Sequence, residues 1–443
     1  MNYLIGLDIG TTAIKGAIIT TEGKVLDTFS GGYHYYGEGN AKLMKPSDFL
    51  DTCYSVIKRL AGLIGKDEKV LSICACCASG NLIMLDKNDQ PLIPIIGWQS
   101  ALTEKETNEL FTPEEIAAFY HISGWPFGGQ FPAAYLAWIH AHRPELIEQA
   151  SAVAMSAEYL AYSLTGKWGI SHSMGTPSFL MDQEKGIYNL PLLQKLGIAE
   201  EKLPPIYDKG SVLGTIKPEV AQELGLSEQT AFVLGSFDHP SGAMGAGVFE
   251  MGEMLLSCGT SWVEFFPVPS REFAISTNGL VDRFMLNGAP YCVMKSISSV
   301  SEKIDARREH YLGKISHNEF ADLASQSSMG CNGLRFTYED SDFTIAEGFD
   351  KCHIARAIIE GAAVILRDNL AELEQCGLQA NSVTMIGGIS NSPVCVGIVS
   401  EVLGKPVKVV NGQLAGALGA CLLGGIGVGV YQNEKSAFAI LQK

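Results

Sequence analysis

Two stretches of the chain share one plan: an apolar run, a tight turn of glycine and hydroxylated residues, and a second apolar run. The first is LIGLDIGTTAIKGAII, which begins at Leu4, and the second is MLLSCGTSWVEFF, which begins at Met254. The apolar runs have the length and composition of buried strands, so each stretch predicts a β-hairpin. Two such hairpins, one in each half, predict an internally duplicated fold with an active cleft between the halves.

The rest of the chain alternates short β-like runs with amphipathic helical patterns, which is typical of an α/β protein. Its 443 residues are enough for about two domains. We predict a boundary within KPEVAQELGLSEQTAFVLGS, where a surface helix is followed by a new apolar strand. The predicted domains are residues 1–233 and 234–443. The predicted strands are Tyr3–Ile9, Ile14–Thr20, Leu26–Tyr35, Ser72–Leu85, Ala231–Gly235, Gly252–Ser257, Trp262–Pro267 and Ser382–Ile386, and the predicted helices are Pro46–Ile64, Thr103–Tyr120, Gln130–Ala141 and His353–Cys376.

The net charge and the apolar segments argue against several classes of binding partner. The formal net charge of −16 argues against nucleic acid or an anionic membrane as the main partner. No apolar stretch reaches the ~20 residues of a membrane span, and we interpret the glycine-broken GALGACLLGGIGVGVY as a packed helix and turn. The eleven cysteines include three in SICACCASG. No CxxC pair accompanies them, so buried thiols of a cytoplasmic protein are favoured over a zinc site.

The first turn has the residue types of a phosphate-binding loop. Gly10, Thr11 and Thr12 expose backbone N–H groups and hydroxyls and have little side-chain bulk, which allows anionic oxygens to approach closely. Asp8, just before the turn, repels phosphate unless a cation lies between them, so it implies Mg²⁺. Lys15 follows the turn and either offsets phosphate charge or is an ordinary surface lysine.

The second turn contains Gly259, Thr260 and Ser261, and it predicts a second phosphate-binding turn. A further glycine pair, Gly387 and Gly388, lies in VTMIGGISNSPV between a predicted strand and a predicted helix. Such a turn lets a nucleotide lie flat against the backbone. The alternative is that these glycines only connect the strand to the helix.

An aspartate ends the apolar strand in GSFDHPSGAMGAG. Asp238 precedes a small-residue helix, so its carboxylate is held rigidly. Phosphoryl transfer to an alcohol needs a base in line with the γ-phosphate, and Asp238 is the candidate. The alternative is a helix-capping aspartate. The adjacent His239 is a candidate substrate contact or else caps or packs.

The order and spacing of these elements resemble the FGGY family of carbohydrate kinases, part of the actin and hexokinase superfamily. The resemblance runs from Leu4 to about Gly425 and includes EYLAYSLTGKWGISHSMGTPSFLMD. It implies two ribonuclease-H-like domains, ATP·Mg²⁺ in the cleft between them, and domain closure over the substrate. The residues that match the family's motifs are Asp238 as the catalytic aspartate, which with Asp8 is also the candidate metal ligand; Asp8, Thr11 and Thr12 as the first phosphate element; Gly259, Thr260 and Ser261 as the second; and Gly387, Gly388, Ser390 and Asn391 as the adenosine element.

The substrate side departs from the family pattern. GWQSALT keeps Trp98 and Gln99, which are candidate substrate contacts, but has Ser100 where the family often has aspartate. Ala78 stands where the family has glutamine, and Tyr135 replaces the signature lysine after FGGQFPAA. A site with fewer hydrogen-bonding groups rejects analogues less strongly, because fewer buried groups are left unpaired.

The sequence therefore predicts an ATP-dependent kinase for a hydroxyl of a small ketose, similar to xylulose, ribulose or fuculose, or of a polyol. One alternative is a kinase for a non-sugar alcohol, and another is a nucleotide-dependent switch protein of the same superfamily. The expected partners are the small-molecule substrate, ATP and Mg²⁺, with no nucleic acid or membrane partner and a homodimer as the candidate assembly.

Overall fold

The protein consists of two compact α/β units. The computed structural model describes residues 1–101, 103–259, 261–286, 288–344, 346, 348–410 and 412–442. Unit 1 contains Met1–Gly247, Leu280–Gly288 and Leu414–Lys443, and unit 2 contains Val248–Gly279 and Ala289–Gln413. The predicted α/β class is confirmed.

Unit 1 begins with the first predicted hairpin. Its strands are β1 Asn2–Ile9, β2 Ala13–Thr20, β3 Val25–Gly32, β4 Leu43–Met44, β5 Lys69–Cys77, β6 Ile83–Leu85, β7 Ile95–Ile96, β8 Ala152–Ala154, β9 Ile170–Ser171, β10 Met181–Asp182, β11 Ile187–Tyr188, β12 Ile206–Tyr207, β13 Val212–Thr215, β14 Ala231–Phe237 and β17 Leu280–Arg283. Its helices are α1 Pro46–Ala61, α2 Glu104–Leu110, α3 Pro113–Ser123, α4 Phe131–His142, α5 Pro144–Gln149, α6 Ser156–Thr165, α7 His172–Gly175, α8 Leu190–Leu196, α9 Pro218–Leu224, α10 Asp238–Ala246, α16 Ala415–Gly427 and α17 Glu434–Leu441.

Unit 2 begins with the second predicted hairpin. Its strands are β15 Glu253–Cys258, β16 Trp262–Val268, β18 Tyr291–Ile297, β19 Ser382–Gly387 and β20 Val407–Val409. Its helices are α11 Arg271–Ser276, α12 Val300–Leu312, α13 His317–Ser325, α14 Lys351–Gln375 and α15 Pro393–Leu403.

The two units repeat one sheet pattern. In unit 1 the strands run in the order β3-β2-β1-β5-β14, with two antiparallel pairs followed by two parallel ones. In unit 2 the order β18-β16-β15-β19-β20 has the same sequence of antiparallel and parallel pairs. Unit 1 adds β13, antiparallel to β14, at its edge. The duplication predicted from the two hairpins is therefore present in the topology.

Two predicted elements are divided in the structure. The predicted strand Ser72–Leu85 is β5 and β6, because the chain turns between them and Gly80 adopts a φ of +94°. The predicted helix Thr103–Tyr120 is α2 and α3. The division falls there because Thr112 caps α3 through the backbone N–H of Glu115, and a proline opens that helix, where its missing N–H costs nothing.

The predicted boundary between residues 233 and 234 differs from the structure. It falls inside β14, whose residues pair in parallel with β5 of the unit 1 sheet, and α10 also belongs to unit 1. Asp238 is therefore part of unit 1, whereas we had predicted it in the second domain. The strand looks like a new start in the sequence because its pairing partner lies more than 150 residues earlier.

The central strands of unit 1 are buried on both faces, as expected for parallel strands covered by helices. Helix α1 packs on β2 and β3, while α16 packs on β1, β5 and β14. The glycine-rich α16 is the packed helix that its sequence predicted, and its small residues allow backbone-to-backbone contact with β1. In the part of the chain that the structure describes, no helix combines the length and apolar character of a membrane span.

Gly6→Ala tests this backbone contact. A Cβ on Gly6 would lie 2.0 Å from the Ala417 carbonyl oxygen and 2.6 Å from the Cys421 backbone nitrogen, so β1 or α16 would have to shift. We expect a loss of roughly 1–3 kcal/mol in the free energy of unfolding, the usual cost of overpacking. Urea unfolding followed by circular dichroism measures it. Gly32→Ala is the control, because nothing lies within 4 Å of the added Cβ at that β3 position, and equal stability of the two variants would contradict the contact.

Candidate active site

The first glycine–threonine turn joins β1 to β2. Asp8 and Lys15 are paired across the hairpin, so their side chains lie on the same face of the sheet. Inside the turn the Gly10 N–H donates to the Ala13 carbonyl at 3.1 Å, and the Tyr33 hydroxyl donates to the Gly10 carbonyl. These hydrogen bonds fix the turn, and the Thr12 and Lys15 side chains beside it are exposed to solvent.

Trp98 contacts this turn. Its indole N–H donates to the Thr11 hydroxyl oxygen at 3.1 Å, across 87 residues of sequence. The structure thus places Trp98 beside the first turn, where it is half-buried, and its role as a substrate contact stays a prediction. Gln99 beside it is exposed, as a ligand contact needs to be.

The carboxylates of Asp8 and Asp238 lie near one another. The sheet explains their proximity. Asp8 lies near the carboxyl end of β1, and Asp238 comes directly after β14, which is parallel to β1 and two strands away from it. Burial and the negative charge of Asp238 raise the pKa of Asp8 to about 6, while Lys15 opposes this rise. Burial also raises the pKa of Asp238, against the attraction of His239. The thiol of Cys76 on the intervening strand donates to Asp8 Oδ1 at 3.7 Å.

Asp238 has part of the capping role that the sequence left open. The N-cap residue of α10 is Phe237, and Asp238 is the first helical residue. Its Oδ1 accepts the His239 backbone N–H at 2.8 Å, and His239 Nε2 lies 3.9 Å from the same oxygen. About a quarter of the Asp238 side chain stays exposed. The carboxylate is therefore both anchored by the helix start and accessible.

The segment that departs from the family pattern is buried and neutral. The Ser100 side chain is fully buried, accepts the Lys42 N–H at 3.0 Å and donates to the Lys42 carbonyl. The Tyr135 hydroxyl, also buried, lies 3.0 Å from the Gly97 carbonyl and 3.1 Å from that of Ser100. These two positions hold the backbone around Trp98 in place instead of presenting charge to a ligand.

An aromatic cluster packs beside this segment. Trp125 is buried, donates to the Val281 carbonyl at 3.0 Å, and contacts Phe237 edge to face at 5.4 Å between ring centroids. Phe127 packs against the ring of Phe179 at 5.0 Å. Phe131 has a φ of +73°, an unusual conformation for a bulky residue. For Trp125 and Phe127 the structure thus shows aromatic packing.

The donor set near Asp8 suits a hard cation. Two nearby carboxylates are the oxygen ligands that Mg²⁺ uses when phosphates and water complete its octahedron. No group of three or more His, Cys, Asp or Glu side chains that could hold a metal occurs in the described ranges. In particular, Cys74, Cys76 and Cys77 are buried free thiols, in agreement with the favoured interpretation of that segment.

The second turn lies in unit 2, between β15 and β16. Gly259 is exposed and Ser261 half-buried, while Thr260 lies outside the described residues. The Ser301 hydroxyl donates to the Gly259 carbonyl at 2.6 Å and accepts the Trp262 indole N–H, and the Ser299 N–H donates to Ser261 Oγ. Sequence analysis missed Ser299 and Ser301, because their hydrogen bonds to the turn span 38 to 42 residues and leave no local signal.

The glycine pair of unit 2 is a constrained turn. Gly387 has a φ of +103°, and a Cβ there would lie 2.1 Å from the Cys258 carbonyl oxygen, so glycine is required. Gly388 is exposed, with nothing within 4 Å of an added Cβ, and Asn391 is exposed as well. Ser390 is buried and donates to the Gly387 carbonyl. The α-helix begins only at Pro393, after a short 3₁₀ turn.

The two α/β units with their repeated sheet pattern have the actin-like ATPase fold. The N-terminal domain of the FGGY family of carbohydrate kinases matches residues 3–245, and its C-terminal domain matches residues 316–428. The chain therefore belongs to the FGGY family of carbohydrate kinases. It is a phosphotransferase that uses ATP to phosphorylate a hydroxyl of a sugar or polyol, which excludes the alternative of a switch protein.

Individual relatives agree in class. The chain is 25% identical to an autoinducer-2 kinase of Klebsiella pneumoniae, over 98% of this chain and 88% of the relative. It is also 25% identical to a xylulose kinase of Staphylococcus epidermidis, over 98% of this chain and 89% of the relative. A solved xylulose kinase from Lactobacillus acidophilus has a TM-score of 0.89 at 21% identity, covering 99% of this chain and 92% of that one. The last similarity supports the fold.

Trp98→Phe tests whether the indole supports the first turn. The phenyl ring keeps most of the packing but leaves the Thr11 hydroxyl without this donor, so we expect the KM for ATP to rise ~5-fold, the equivalent of about 1 kcal/mol for one hydrogen bond. Steady-state kinetics with varied ATP measure the change. Trp138→Phe is the control, because the Trp138 ring contacts His142 on α4. Equal ATP dependence of both variants would contradict the support role.

Proposed function

We propose that this kinase transfers the γ-phosphate of ATP to a hydroxyl of a small ketose or polyol, with Asp238 as the general base. The observation that carries the proposal is the pair of carboxylates, Asp8 and Asp238, held near one another at the carboxyl ends of parallel strands. Asp238 is anchored through one oxygen and remains partly exposed, which suits a group that accepts a proton from a bound alcohol.

Each residue of the first hairpin has a distinct proposed role. Thr11, Thr12 and the turn backbone bind phosphate oxygens, and the exposed Lys15 compensates their charge. Asp8 would hold Mg²⁺ together with Asp238, and the ion when bound neutralises charge on the transferring phosphoryl group. Lys15 opposes the rise in the pKa of Asp8 that burial and Asp238 cause, and so favours the ionised, metal-binding form of the carboxylate.

Unit 2 supplies the proposed nucleotide contacts. Gly259, Ser261 and Thr260 form the second phosphate turn, by their match to the family motif. Gly387, Gly388, Ser390 and Asn391 form the adenosine element, and the open surface over Gly388 and the exposed Asn391 support this role. The buried Ser390 shapes the turn through its bond to the Gly387 carbonyl instead of facing a ligand.

The substrate side favours a ligand with few charge contacts. Gln99 and His239 remain candidate substrate contacts, because both are accessible. The hydroxyl groups of Ser100 and Tyr135 donate to backbone carbonyls, so they do not face a ligand as donors. The named relatives act on xylulose and autoinducer-2, so a ketose or a related small polyhydroxylated compound is the proposed substrate.

We propose that the enzyme works in the cytoplasm, and the state of its cysteines supports this. Each of the eleven cysteines is free, and nine of them are buried. This supports a reducing cytoplasm as the place where the enzyme works.

An acceptor panel tests the function. ADP release is measured with Mg²⁺ and ATP in the presence of xylulose, ribulose, fuculose, autoinducer-2, glycerol or no acceptor. We expect acceptor-dependent release with the highest kcat/KM on a ketose or autoinducer-2, and slow turnover of xylulose and glycerol compared with the 1–100 s⁻¹ that is roughly typical of kinases. Release that is equal with and without every acceptor would overturn the proposal.

Asp238→Asn tests the base. Asparagine keeps the size and the acceptor oxygen for the His239 N–H but cannot take a proton, so we expect kcat to fall ~10²–10⁴-fold. The dissociation constant of ATP measured without Mg²⁺ should change little, because the glycine–threonine turns and not Asp238 are proposed to bind the phosphates. A capping role alone predicts nearly unchanged activity, since asparagine caps as well as aspartate. Single-turnover kinetics, ATP titration and the melting temperature together separate these outcomes, and near-normal kcat at an unchanged melting temperature would remove Asp238 from the mechanism.

A further inference from the structure

A buried carboxylate outside the candidate site connects to it through one side chain. Asp282 lies on β17 and is fully buried. Its Oδ2 accepts the Ser173 hydroxyl at 2.7 Å, and the Ser173 oxygen in turn accepts the Phe237 backbone N–H at 3.0 Å. Phe237 is the N-cap residue of α10 and directly precedes Asp238. Three parts of the chain, between 45 and 109 residues apart, thus meet at the peptide before the proposed base.

The direction of the hydroxyl is fixed by this arrangement. A serine has one proton to donate, and a bond of 2.7 Å to a carboxylate has the length of a strong, charge-assisted hydrogen bond. With its proton directed at Asp282, the Ser173 oxygen keeps its lone pairs for the Phe237 N–H. Asp282 therefore decides which way Ser173 points, and Ser173 decides where the N-cap peptide lies.

Burying Asp282 is costly, and its surroundings compensate only in part. Its Oδ1 accepts the Arg283 N–H at 2.7 Å and lies 3.5 Å from the Thr176 hydroxyl. The positive charge of Lys209 opposes the effect of burial, which raises the pKa of Asp282 to about 7. A packed apolar residue would fold at lower cost at this position. The carboxylate is explained if its task is to orient Ser173.

We propose that Asp282 and Ser173 are positioning residues for catalysis, which hold the Phe237–Asp238 peptide so that the Asp238 carboxylate faces the acceptor hydroxyl. This inference rests on the proposed function of Asp238. Neither residue is one of the catalytic, phosphate or adenosine residues that match the family's motifs, and their hydrogen bonds join them to each other and to the backbone N–H groups of Phe237 and Arg283.

Hydrogen exchange tests the structural half without any activity. The peptide that covers β14 and the start of α10 is followed by mass spectrometry in the wild type, in Ser173→Ala and in Ser178→Ala. Ser178 is the matched control, because it is also buried, donates to the Gly175 carbonyl and accepts the Leu180 N–H. We expect exchange at Phe237 to be at least ~10-fold faster in Ser173→Ala only, since a local opening easier by one hydrogen bond has about this effect. Equal exchange in the two variants overturns the inference.

Kinetics test the catalytic half. We expect kcat to fall ~10-fold or more in Ser173→Ala and in Asp282→Asn at an unchanged KM for ATP, as a misplaced reacting group predicts. Ser173→Thr keeps the hydroxyl and should recover most of the rate. In an Asp238→Asn background, Ser173→Ala should cause no further loss, because the serine acts only through that carboxylate.

The outcomes are distinct. Loss of rate in Ser178→Ala equal to that in Ser173→Ala, or additive losses in the double variant, overturns the positioning role while the proposed function stands. A wild type without acceptor-dependent turnover overturns the proposed function and with it the catalytic role, and the exchange experiment then still decides whether Ser173 and Asp282 hold the N-cap peptide.

Discussion

The close approach of α16 to β1 and α10 determines where the chemistry of unit 1 can take place. Added Cβ atoms on Gly6 and Gly245 would lie 2.0 and 1.9 Å from carbonyl oxygens of α16, and one on Gly419 would lie 2.0 Å from the Ser241 carbonyl. Backbones this close disfavour any residue with a Cβ at these positions, because the two elements would have to move apart. The Ser241 hydroxyl then reaches the Gly416 carbonyl at 2.9 Å and ties the two helices together.

This contact also places the carboxylates. A Cβ on Gly416 would lie 2.7 Å from the Asp8 carboxyl carbon, so the helix backbone covers one side of Asp8. Helix α10, held against the same α16, begins at Asp238. The helix contact therefore confines both acids to one small region that is partly shielded from water, and their mutual repulsion appears in the raised pKa of Asp8. A region with two confined negative charges favours cations, which is consistent with a metal-dependent phosphoryl transfer.

The sequence predicted much of this arrangement, and its limits have physical causes. Both hairpins and the helix after Asp238 were predictable, because strand length, glycine turns and helix starts are local signals. The domain boundary was not, because the place of β14 in the first sheet depends on pairing with β5, which local patterns cannot show. The bonds from Trp98 to Thr11 and from Ser173 to Asp282 span 87 and 109 residues for the same reason. The role of each predicted site residue stays a prediction.

The burial of Ser100 and Tyr135 explains why these two residues differ from the charged residues of the family pattern. Viewed in the sequence, Ser100 and Tyr135 are losses of charge relative to the family. In the structure the two hydroxyls bond to carbonyls around Trp98, whose indole then reaches Thr11 of the first turn. A buried aspartate or lysine at these positions would need a partner of opposite charge, whereas the neutral pair needs none. The segment thus holds its backbone with neutral hydrogen bonds, and this is the physical basis for proposing a substrate with few charge contacts.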